Sequence, residues 1–501
     1  MSGRLSVNKI NKISREREVW CWGSGFQYGR MIKMHGDEKY VECIKGIIDS
    51  NEKIQGSTRS ISDRTVKIYS PESLLKDKKK KYLVIITCDA YDEVLYSAKK
   101  LYADLDVIYT QYPTTYYEVS AIIKKIFCKI PMKRRLLFYV GSGNSQPHEN
   151  ADEIVRYLKN EYRGKQYDLV YMTDTPCEVR KDVKQISLSH TRNKAKLMDV
   201  IRYYYYYCTS RFLLFENSPV GKIRSDQKTI YLNHGTIPLK YVRDALKQPS
   251  NLNYAVCPGR GSTKFYVEQY SIDACKLIYL MQPRVRSLFD DKKDAVDHIF
   301  NSNGEQLILW LPTFRKLEKG DKSERRDSSV ESPLSQLICS ERINELNDFL
   351  KNSDQKLIIK CHPREKESLV MNEKKSNIFI ITDEELNVDG ISLHNLMNRA
   401  DALISDYSGI TFEYLFLNRP LGYYIPDIND YTRGFAVDDP LHYMPGEKMY
   451  STDDLLHFFA RLKDGEDIYE AQRRDLRREL FDEIDPEKGS EMLIEFLDKL
   501  N

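Results

Sequence analysis

The sequence lacks several features that would place the protein in a familiar class. Its ten cysteines are scattered singly, without a C-x-x-C pair or a zinc-like His/Cys spacing. Thiols distributed in this way fit a reducing compartment better than a disulfide framework. No apolar run approaches the roughly 20 residues of a membrane-spanning helix. The opening stretch, MSGRLSVNKINKISRERE, is polar and mixed in charge, unlike a signal peptide. We therefore expect a cytoplasmic protein.

An excess of one charge is also lacking, because 77 basic side chains face 74 acidic ones and the formal net charge is +3. Nucleic-acid-binding proteins usually carry a larger and clustered basic excess, so we expect no nucleic-acid partner. Hydrophobic residues make up 41% of the chain and charged residues 30%, which predicts a packed globular protein. A chain of 501 residues has room for about three domains.

The first part of the chain has the pattern of a small Rossmann-like α/β domain. An apolar strand at residues 19–22 leads into Gly23, Gly25 and Gly29, and a second predicted strand ends in Asp49. Strand, glycine turn, helix and an acid at the next strand end are typical of dinucleotide-binding folds. The spacing G-x-G-x-x-x-G is looser than the dinucleotide fingerprint, so two interpretations stay open. Either the glycines let a phosphate approach a helix N-terminus, or they only permit the tight turn.

After this block, a predicted linker helix ends at a proline and a basic cluster. Its lysines and arginines beside Ile, Phe and Met fit either an anionic membrane surface or an amphipathic linker with a solvated face. Apolar strands then alternate with helical patterns, which predicts a parallel sheet in each of two further blocks. The predicted division is a Rossmann-like accessory domain at residues 1–116, the linker helix at 117–132, one domain at 133–292 and another at 293–501, whose C-terminal helices pack back across the domains.

Polar motifs follow predicted strands at four places in these two blocks. They are LNHGTIPLK around His234, LPTFRK with Thr313 and Arg315, IIKCHPRE with His362 and Arg364, and LISDYSGITFEY with Ser405, Asp406, Ser408 and Thr411. Carboxyl ends of parallel strands meet at one sheet edge, so two facing sheets would gather these groups around a ligand. Alone, a histidine beside a turn is commonly structural, and Ser-Asp-Tyr-Ser before an apolar helix is commonly an N-cap. Four such motifs in this order favour a functional site.

That combination resembles the CDP-glycerol glycerophosphotransferases, the teichoic-acid primase and polymerase family. The matching segments are His234-Gly235-Thr236, Pro312-Thr313-Phe314-Arg315, His362-Pro363 and Asp406-Tyr407-Ser408, together with QPRV at residues 282–285 and YTRGF at residues 431–435. The resemblance covers roughly residues 133–480. Three features depart from the family pattern: Ile237 is inserted before Pro238, Gly409 stands in place of a second serine, and the N-terminal block is an addition. They bear on the donor or acceptor more than on the reaction class.

The resemblance implies an α/β fold of GT-B type, in which two Rossmann-like domains face each other, preceded here by the small Rossmann-like domain. Residues 133–292 would be the acceptor side and residues 293–501 the CDP-donor side. The donor would be a CDP-linked polyol, and the acceptor a hydroxyl of a lipid-linked or polymeric glycan or polyol phosphate in teichoic-acid or capsule synthesis. Because that acceptor lies at the inner membrane face, we expect peripheral attachment there. The oligomeric state is not defined by the sequence.

In such a reaction an alcohol attacks the phosphorus that bears the polyol, and CMP leaves. A positioned base accelerates this step by about 10²–10⁴-fold, and histidine, titrating near pH 6.5, is suited to the task. The resemblance implies His234 as this base and His362 as a second catalytic residue. The substrate- and donor-binding residues that it implies are Gly235, Thr236, Lys240, Thr313, Arg315, Arg364, Ser405, Asp406, Ser408, Gly409, Thr411 and Glu413.

The sequence shows no convincing metal cluster. We therefore expect that protein groups stabilise the developing charge and that no cofactor is required, although the pattern leaves room for a loosely held Mg²⁺ ion. A helix start at Ser408 would offer oriented N–H groups to the diphosphate.

Two other functions stay open at this stage. A GT-B glycosyltransferase that uses a nucleotide-sugar would share the architecture, and the motif order favours the phosphopolyol donor over it. A non-catalytic scaffold of a polymer-assembly complex would keep the fold without turnover, which the presence of both motif histidines argues against. An assay that compares CDP-polyols with a UDP-sugar separates these functions.

Overall fold

The computed structural model describes residues 5–61, 64–87, 91–111, 122–139, 149–162, 164–173, 183–187, 197–216, 220–242, 251–313, 333–338, 341–361, 375–382, 385–386 and 390–500. The chain divides into two compact units, residues 1–126 and 127–501. The first unit contains one six-stranded sheet, and the second contains a seven-stranded and a six-stranded sheet. The predicted α/β class is confirmed.

The first unit is a Rossmann-like domain whose strands follow the order β3-β4-β2-β1-β5-β6. Its strands are β1 (Glu18–Trp22), β2 (Ile44–Ile48), β3 (Thr58–Ile61), β4 (Arg64–Tyr69), β5 (Lys81–Ile86) and β6 (Asp106–Gln111). Its helices are α1 (Val7–Ile13), α2 (Phe26–His35), α3 (Lys39–Glu42) and α4 (Tyr91–Leu101), with 3₁₀ turns at Glu52–Ile54 and Pro71–Lys76. All described pairings are parallel except the β3–β4 hairpin, which the sequence pattern did not reveal.

The second unit begins with a sheet of seven parallel strands in the order β13-β12-β11-β10-β7-β8-β9, called here the middle sheet. Its strands are β7 (Lys133–Tyr139), β8 (Asp168–Thr173), β9 (Lys184–Ser187), β10 (Ser210–Phe215), β11 (Lys228–Tyr231), β12 (Tyr254–Cys257) and β13 (Leu277–Tyr279). The helices around it are α5 (Glu149–Asn160), α6 (Leu197–Thr209) and α7 (Thr263–Tyr270), with 3₁₀ turns at Arg260–Ser262, Ala274–Lys276 and Pro283–Phe289. Central strands such as β10 read as continuous apolar runs because both faces of a parallel sheet are covered.

The last sheet has six parallel strands in the order β16-β15-β14-β17-β18-β19. Its strands are β14 (Gln306–Trp310), β15 (Gln355–Lys360), β16 (Ile378–Ile381), β17 (Ala402–Ser405), β18 (Leu421–Tyr424) and β19 (Glu447–Met449). The helices of this part are α8 (Lys293–Ile299), α9 (Pro333–Ile338), α10 (Arg342–Asn352), α11 (Leu393–Arg399), α12 (Ile410–Tyr414), α13 (Thr452–Lys463), α14 (Glu470–Phe481) and α15 (Gly489–Lys499), with a 3₁₀ turn at Ile428–Asp430.

Helix α15 returns to the middle sheet, in the way expected of C-terminal helices that pack back across the domains. Leu493, Ile494 and Leu497 are buried in the same core cluster as the apolar residues of β7, β8 and β10. Asp498 accepts a hydrogen bond of 2.8 Å from the Tyr162 hydroxyl. The last helix therefore fastens the end of the chain to the first half of the second unit.

The predicted linker helix is described only in part, since residues 122–127 are helical and its earlier residues lie outside the described ones. No helix among the described residues is both long enough and apolar enough to cross a lipid bilayer.

Candidate active site

The predicted motifs lie at the carboxyl ends of strands in the two sheets of the second unit. His234 follows β11, Thr313 follows β14 and Ser405 ends β17. Because β14 and β17 are hydrogen-bonded neighbours, the residues after them leave the sheet side by side. The predicted residues His362, Arg364 and Arg315 fall outside the described residues.

His234 stands on a turn that Asn233 holds in place. Asn233 has a φ of 63°, the left-handed conformation that asparagine tolerates better than most residues. Its Oδ1 accepts hydrogen bonds from the His234 backbone N–H and from the Tyr231 hydroxyl, both at 2.8 Å. Its Nδ2 donates to the hydroxyls of Tyr266 and Tyr270 at 3.3 and 3.2 Å. The turn is thus fixed from the buried side, while the His234 side chain is 62% exposed.

The two residues after His234 face different environments. A Cβ placed on Gly235 would meet no atom within 4 Å, so its backbone is open to an approaching substrate. Thr236 is fully buried, and its carbonyl accepts a hydrogen bond of 2.9 Å from the Tyr266 hydroxyl. The Thr236 hydroxyl has no hydrogen-bond partner among the described residues. Gly235 therefore borders the open side of the turn, and Thr236 lies beneath it.

A second buried asparagine connects the turn to the opposite half of the unit. Asn150, on α5, donates from Nδ2 to the Asn233 carbonyl at 3.0 Å and accepts a hydrogen bond of 3.1 Å from the Arg284 backbone N–H. The Arg284 guanidinium forms an ion pair with Glu413 on α12. A continuous set of buried polar contacts therefore runs from the His234 turn to the helix that follows Ser408.

Glu413, predicted as a donor-binding residue, lies inside the protein rather than on an open surface. Its carboxylate is fully buried and contacts both the Arg284 guanidinium and, at 2.6 Å, the Nε2 of His394. Burial alone would raise the pKa of Glu413, but Arg284 and His394 outweigh it and hold this pKa below its usual range. Glu413 therefore joins two halves of the unit, and its role in donor binding stays a prediction.

Asp406 organises the turn after β17. Its carboxylate accepts hydrogen bonds from the backbone N–H and hydroxyl of Thr313, at 3.0 and 2.5 Å, and from the Tyr407 N–H at 2.6 Å. Lys240, from the His234 loop, donates to the Thr313 hydroxyl at 3.3 Å. Ser405 is buried and donates to the Leu311 carbonyl at 2.7 Å. The structure therefore brings three predicted residues, Lys240, Thr313 and Asp406, together.

The predicted helix start at Ser408 is present, but α12 has only five residues. The Ser408 hydroxyl accepts a long hydrogen bond of 3.5 Å from the Ile410 N–H. Thr411 is fully buried, and its hydroxyl donates to the Ser408 carbonyl at 3.0 Å. Of the two predicted hydroxyl donors, Ser408 is half-buried, whereas Thr411 is engaged inside the turn.

Two departures of the sequence from the family pattern meet in space. A Cβ on Gly409 would lie 2.2 Å from the carbonyl oxygen of Ile237, a distance that no side chain tolerates. Ile237 itself is 2% exposed. The inserted isoleucine therefore packs the His234 loop directly onto the Ser408 turn, and glycine is the residue that permits this contact.

The YTRGF segment clamps the far end of the His234 loop. The Ala436 N–H donates to the Leu239 carbonyl at 2.8 Å, and the Tyr241 N–H donates to the Gly434 carbonyl at 3.0 Å. These two bonds form a short antiparallel bridge between the two halves of the unit.

Similarity to known proteins identifies the family of this chain. The family model of CDP-Glycerol:Poly(glycerophosphate) glycerophosphotransferases matches residues 122–499. The chain belongs to this family. As a glycerophosphotransferase it is a transferase enzyme, and the match leaves nearly all of the first unit outside the family model.

Teichoic-acid enzymes are among the relatives of this glycerophosphotransferase. A teichoic acid poly(glycerol phosphate) polymerase of Bacillus spizizenii is 22% identical over 382 residues, which cover 71% of this chain and 91% of that protein. A teichoic acid ribitol-phosphate primase of the same organism is 25% identical over 218 residues, 42% of this chain and 50% of the primase. The chain thus spans most of the first relative and about half of the second.

The wall teichoic acid polymerase TagF has the same fold as the glycerophosphotransferase. Its structure matches with a TM-score of 0.57 and 18% identity, covering 82% of this chain and 97% of TagF. A TagF histidine variant soaked with CDPG matches with a TM-score of 0.59. The predicted GT-B pair of facing Rossmann-like domains is confirmed by this likeness.

Several residues around the site escaped the sequence prediction. Asn233, Asn150 and Arg284 hold the turn, and Glu216 lies beside His234, with its Oε2 3.9 Å from the histidine Nδ1. Glu216 is the first residue after β10, and β10 lies next to β11 in the sheet. The lateral order of the strands brings these residues together, and their spacing along the chain does not reveal that order. Among the described residues, no group of three or more His, Cys, Asp or Glu side chains could hold a metal ion.

Proposed function

We propose that this glycerophosphotransferase moves a polyol phosphate from a CDP-linked polyol to a hydroxyl of a lipid-linked or polymeric acceptor, with release of CMP, during teichoic-acid or capsule-type polymer synthesis. One observation carries the proposal: an exposed histidine stands on a rigid turn that packs directly against the Ser408 turn of the facing sheet. The relatives include both glycerol-phosphate and ribitol-phosphate enzymes, so the polyol is proposed as a class.

His234 is the proposed general base. An acceptor hydroxyl attacks the phosphorus that bears the polyol, and His234 takes the hydroxyl proton as the new P–O bond forms. The bond from this phosphorus to the oxygen shared with the cytidylyl phosphate breaks, and CMP leaves with the electron pair. The open backbone at Gly235 gives the acceptor room to reach the imidazole. A base at this position contributes about 10²–10⁴-fold to the rate.

The negative charge of the diphosphate is proposed to lie between Lys240, Ser408 and the main-chain N–H groups of the Ser408 turn. Asp406 supports them indirectly, because it fixes Thr313, to which Lys240 donates. His362, Arg315 and Arg364 remain proposed further donors to the phosphates. We propose that these protein groups balance the negative charge of the diphosphate, with Mg²⁺ as an optional addition.

Replacement of His234 by alanine tests the base. We expect transfer from CDP-glycerol or CDP-ribitol to fall at least about 100-fold, while CMP still binds. His442 is the matched control, because its side chain is 54% exposed and also faces a carboxylate, Glu479, at 3.3 Å. His442→Ala should transfer at the wild-type rate. Activity of His234→Ala within several-fold of wild type would refute the assignment, and turnover of a UDP-sugar in place of both CDP-polyols would refute the donor.

We also propose peripheral attachment to the cytoplasmic face of the membrane through the helix at residues 122–127. Ile122 and Ile126 are 62% and 56% exposed on this helix, and Lys125 beside them is exposed as well. Exposed apolar side chains flanked by lysines suit an anionic lipid surface. Flotation with anionic liposomes should weaken for an Ile122→Ser/Ile126→Ser variant and stay unchanged for Ile468→Ser, a control at a 69% exposed isoleucine. Indifference to lipid charge would count against this proposal.

A further inference from the structure

Glu216 is a buried carboxylate at the same sheet edge as the proposed base. It directly follows β10, and only 2% of the residue is exposed. The adjacent pairing of Phe215 with Tyr231, and the hydrogen bond of 2.8 Å from the Leu232 N–H to the Phe215 carbonyl, keep the end of β10 alongside the start of the His234 turn. The position of Glu216 is therefore set by the sheet and not by a loose loop.

The carboxylate faces one nitrogen of the His234 imidazole. Glu216 Oε2 lies 3.9 Å from His234 Nδ1, within ion-pairing range and about 1 Å longer than a hydrogen bond. The His234 side chain is 62% exposed, so its ring has room to turn toward the carboxylate. With Nδ1 turned to the carboxylate, Nε2 is the nitrogen left for the acceptor hydroxyl.

Among the described residues, two tyrosines and a lysine also lie near the turn. Tyr266 and Tyr270 pack beneath Asn233, where burial raises the pKa of Tyr266 well above its usual range and that of Tyr270 to about 12. Both phenols are therefore neutral at working pH. Lys240, on the same loop, is directed to the Thr313 hydroxyl. Among these neighbours, Glu216 is the group whose negative charge can balance a proton on His234.

We propose that Glu216 is a positioning residue for the transfer reaction, holding the Nδ1–H form of His234 and stabilising the imidazolium that forms when Nε2 takes the acceptor proton. This inference rests on the proposed role of His234. The full positive charge on His234, which faces Glu216, appears only as the proton moves. The interaction is then stronger in the transition state than in the ground state, so it increases kcat rather than substrate affinity.

Glu216→Gln tests the inference with little change in side-chain size. We expect kcat for transfer from CDP-glycerol, or from CDP-ribitol if that is the donor, to fall about 10-fold or more, as loss of the orienting carboxylate does in related dyads. KM for the donor should change less than about twofold, because the glutamate acts on proton transfer.

Glu479→Gln is the matched control, because Glu479 faces the exposed His442 as Glu216 faces His234. It should leave kcat and KM unchanged. Glu216→Asp retains the charge but shortens its reach, so we expect a several-fold lower kcat with an unchanged KM, and this variant carries the test if Glu216→Gln does not fold. Wild-type kcat in folded Glu216→Gln, alongside an inactive His234→Ala, would overturn the role of Glu216 alone. An active His234→Ala would instead refute the base on which it depends.

Discussion

Two turns of this molecule, at Ser24 in the first unit and at His234 in the second, each follow a buried parallel strand. In each turn, a polar side chain accepts a hydrogen bond from the main chain. In the first unit, Asp49 accepts bonds from the Ser24 N–H at 3.0 Å and from the Ser24 hydroxyl at 2.7 Å. In the second unit, Asn233 accepts a bond from the His234 N–H at 2.8 Å. A side-chain acceptor thus stabilises both turns, but Asp49 comes from the end of the neighbouring strand and Asn233 from the turn itself, and the side chains that the turns present differ.

In the turn of the first unit, the polar groups form hydrogen bonds with each other. Ser24 is 6% exposed, and both its N–H and its hydroxyl are engaged by Asp49, the acid at the end of the second predicted strand. In the His234 turn, the anchor is buried and the residue it anchors is exposed. Such a turn is suited to catalysis when one residue fixes the backbone and a different, exposed residue contacts the substrate.

The largest expected effect comes from removing the ion pair that links the His234 turn to the Ser408 helix. Arg284→Met leaves Glu413 buried without its guanidinium, since the two side chains are 7% and 0% exposed. We expect the free energy of unfolding to fall by about 3–5 kcal/mol, measured by denaturant titration. A loss under about 1 kcal/mol would show that the two halves are held together without this contact.

The same cluster predicts a pH dependence of stability. The pKa of Glu413 is lower in the folded protein than in the unfolded chain, where it is about 4.3. Its contribution is therefore present above about pH 4.3 and is lost as pH falls through the folded value. Glu413→Gln should flatten that part of the stability curve, and an unchanged acid slope in this variant would contradict the assignment.

A smaller effect is expected from breaking the anchor of the second turn. Asn233→Ala removes acceptors and donors from buried groups and puts alanine at a φ of 63°, so we expect a loss of about 2–4 kcal/mol in unfolding free energy. Displacement of His234 should also reduce transfer about 10- to 100-fold. Asn301→Ala controls for backbone conformation alone, because Asn301 is exposed and has a φ of 48°. Equal losses of transfer in both variants would remove the distinction between anchor and strained turn.

The smallest effect is expected in the turn of the first unit. Asp49→Asn weakens the bonds to Ser24, which should cost about 1 kcal/mol in the stability of that unit. Transfer should remain within about twofold of wild type, because the polar groups of this turn are engaged internally. A fall of tenfold or more in transfer by a folded Asp49→Asn protein would mean that the first turn takes part in the reaction.

Much of this architecture was predictable because buried parallel strands are apolar runs that end abruptly in polar residues. The strands that carry His234, Thr313 and Ser405 were recognised in this way, and so was the alternation that defines the fold. The β3–β4 hairpin and the three-residue edge strands β13 and β19 were missed, since short or exposed strands have little apolar signature.

The candidate site was predictable only where motif and strand end coincide. Glu216 and Asn150 reach the His234 turn through the lateral order of strands and the packing of α5, which the sequence does not display. Glu413 was predicted from its motif, but its burial depends on Arg284 and His394, which belong to other segments. The contact between Ile237 and Gly409 shows the same limit, because two departures that looked independent in sequence pack directly against each other in the fold.

The most direct test is a structure of the protein soaked with CDP-glycerol, or with CDP-ribitol if that is the donor. We expect the diphosphate at the Ser408 turn, with Lys240 nearby and the polyol-bearing phosphorus facing His234. A donor bound at the Gly23–Gly25 turn of the first unit, or one whose phosphorus is turned away from His234, would contradict this expectation.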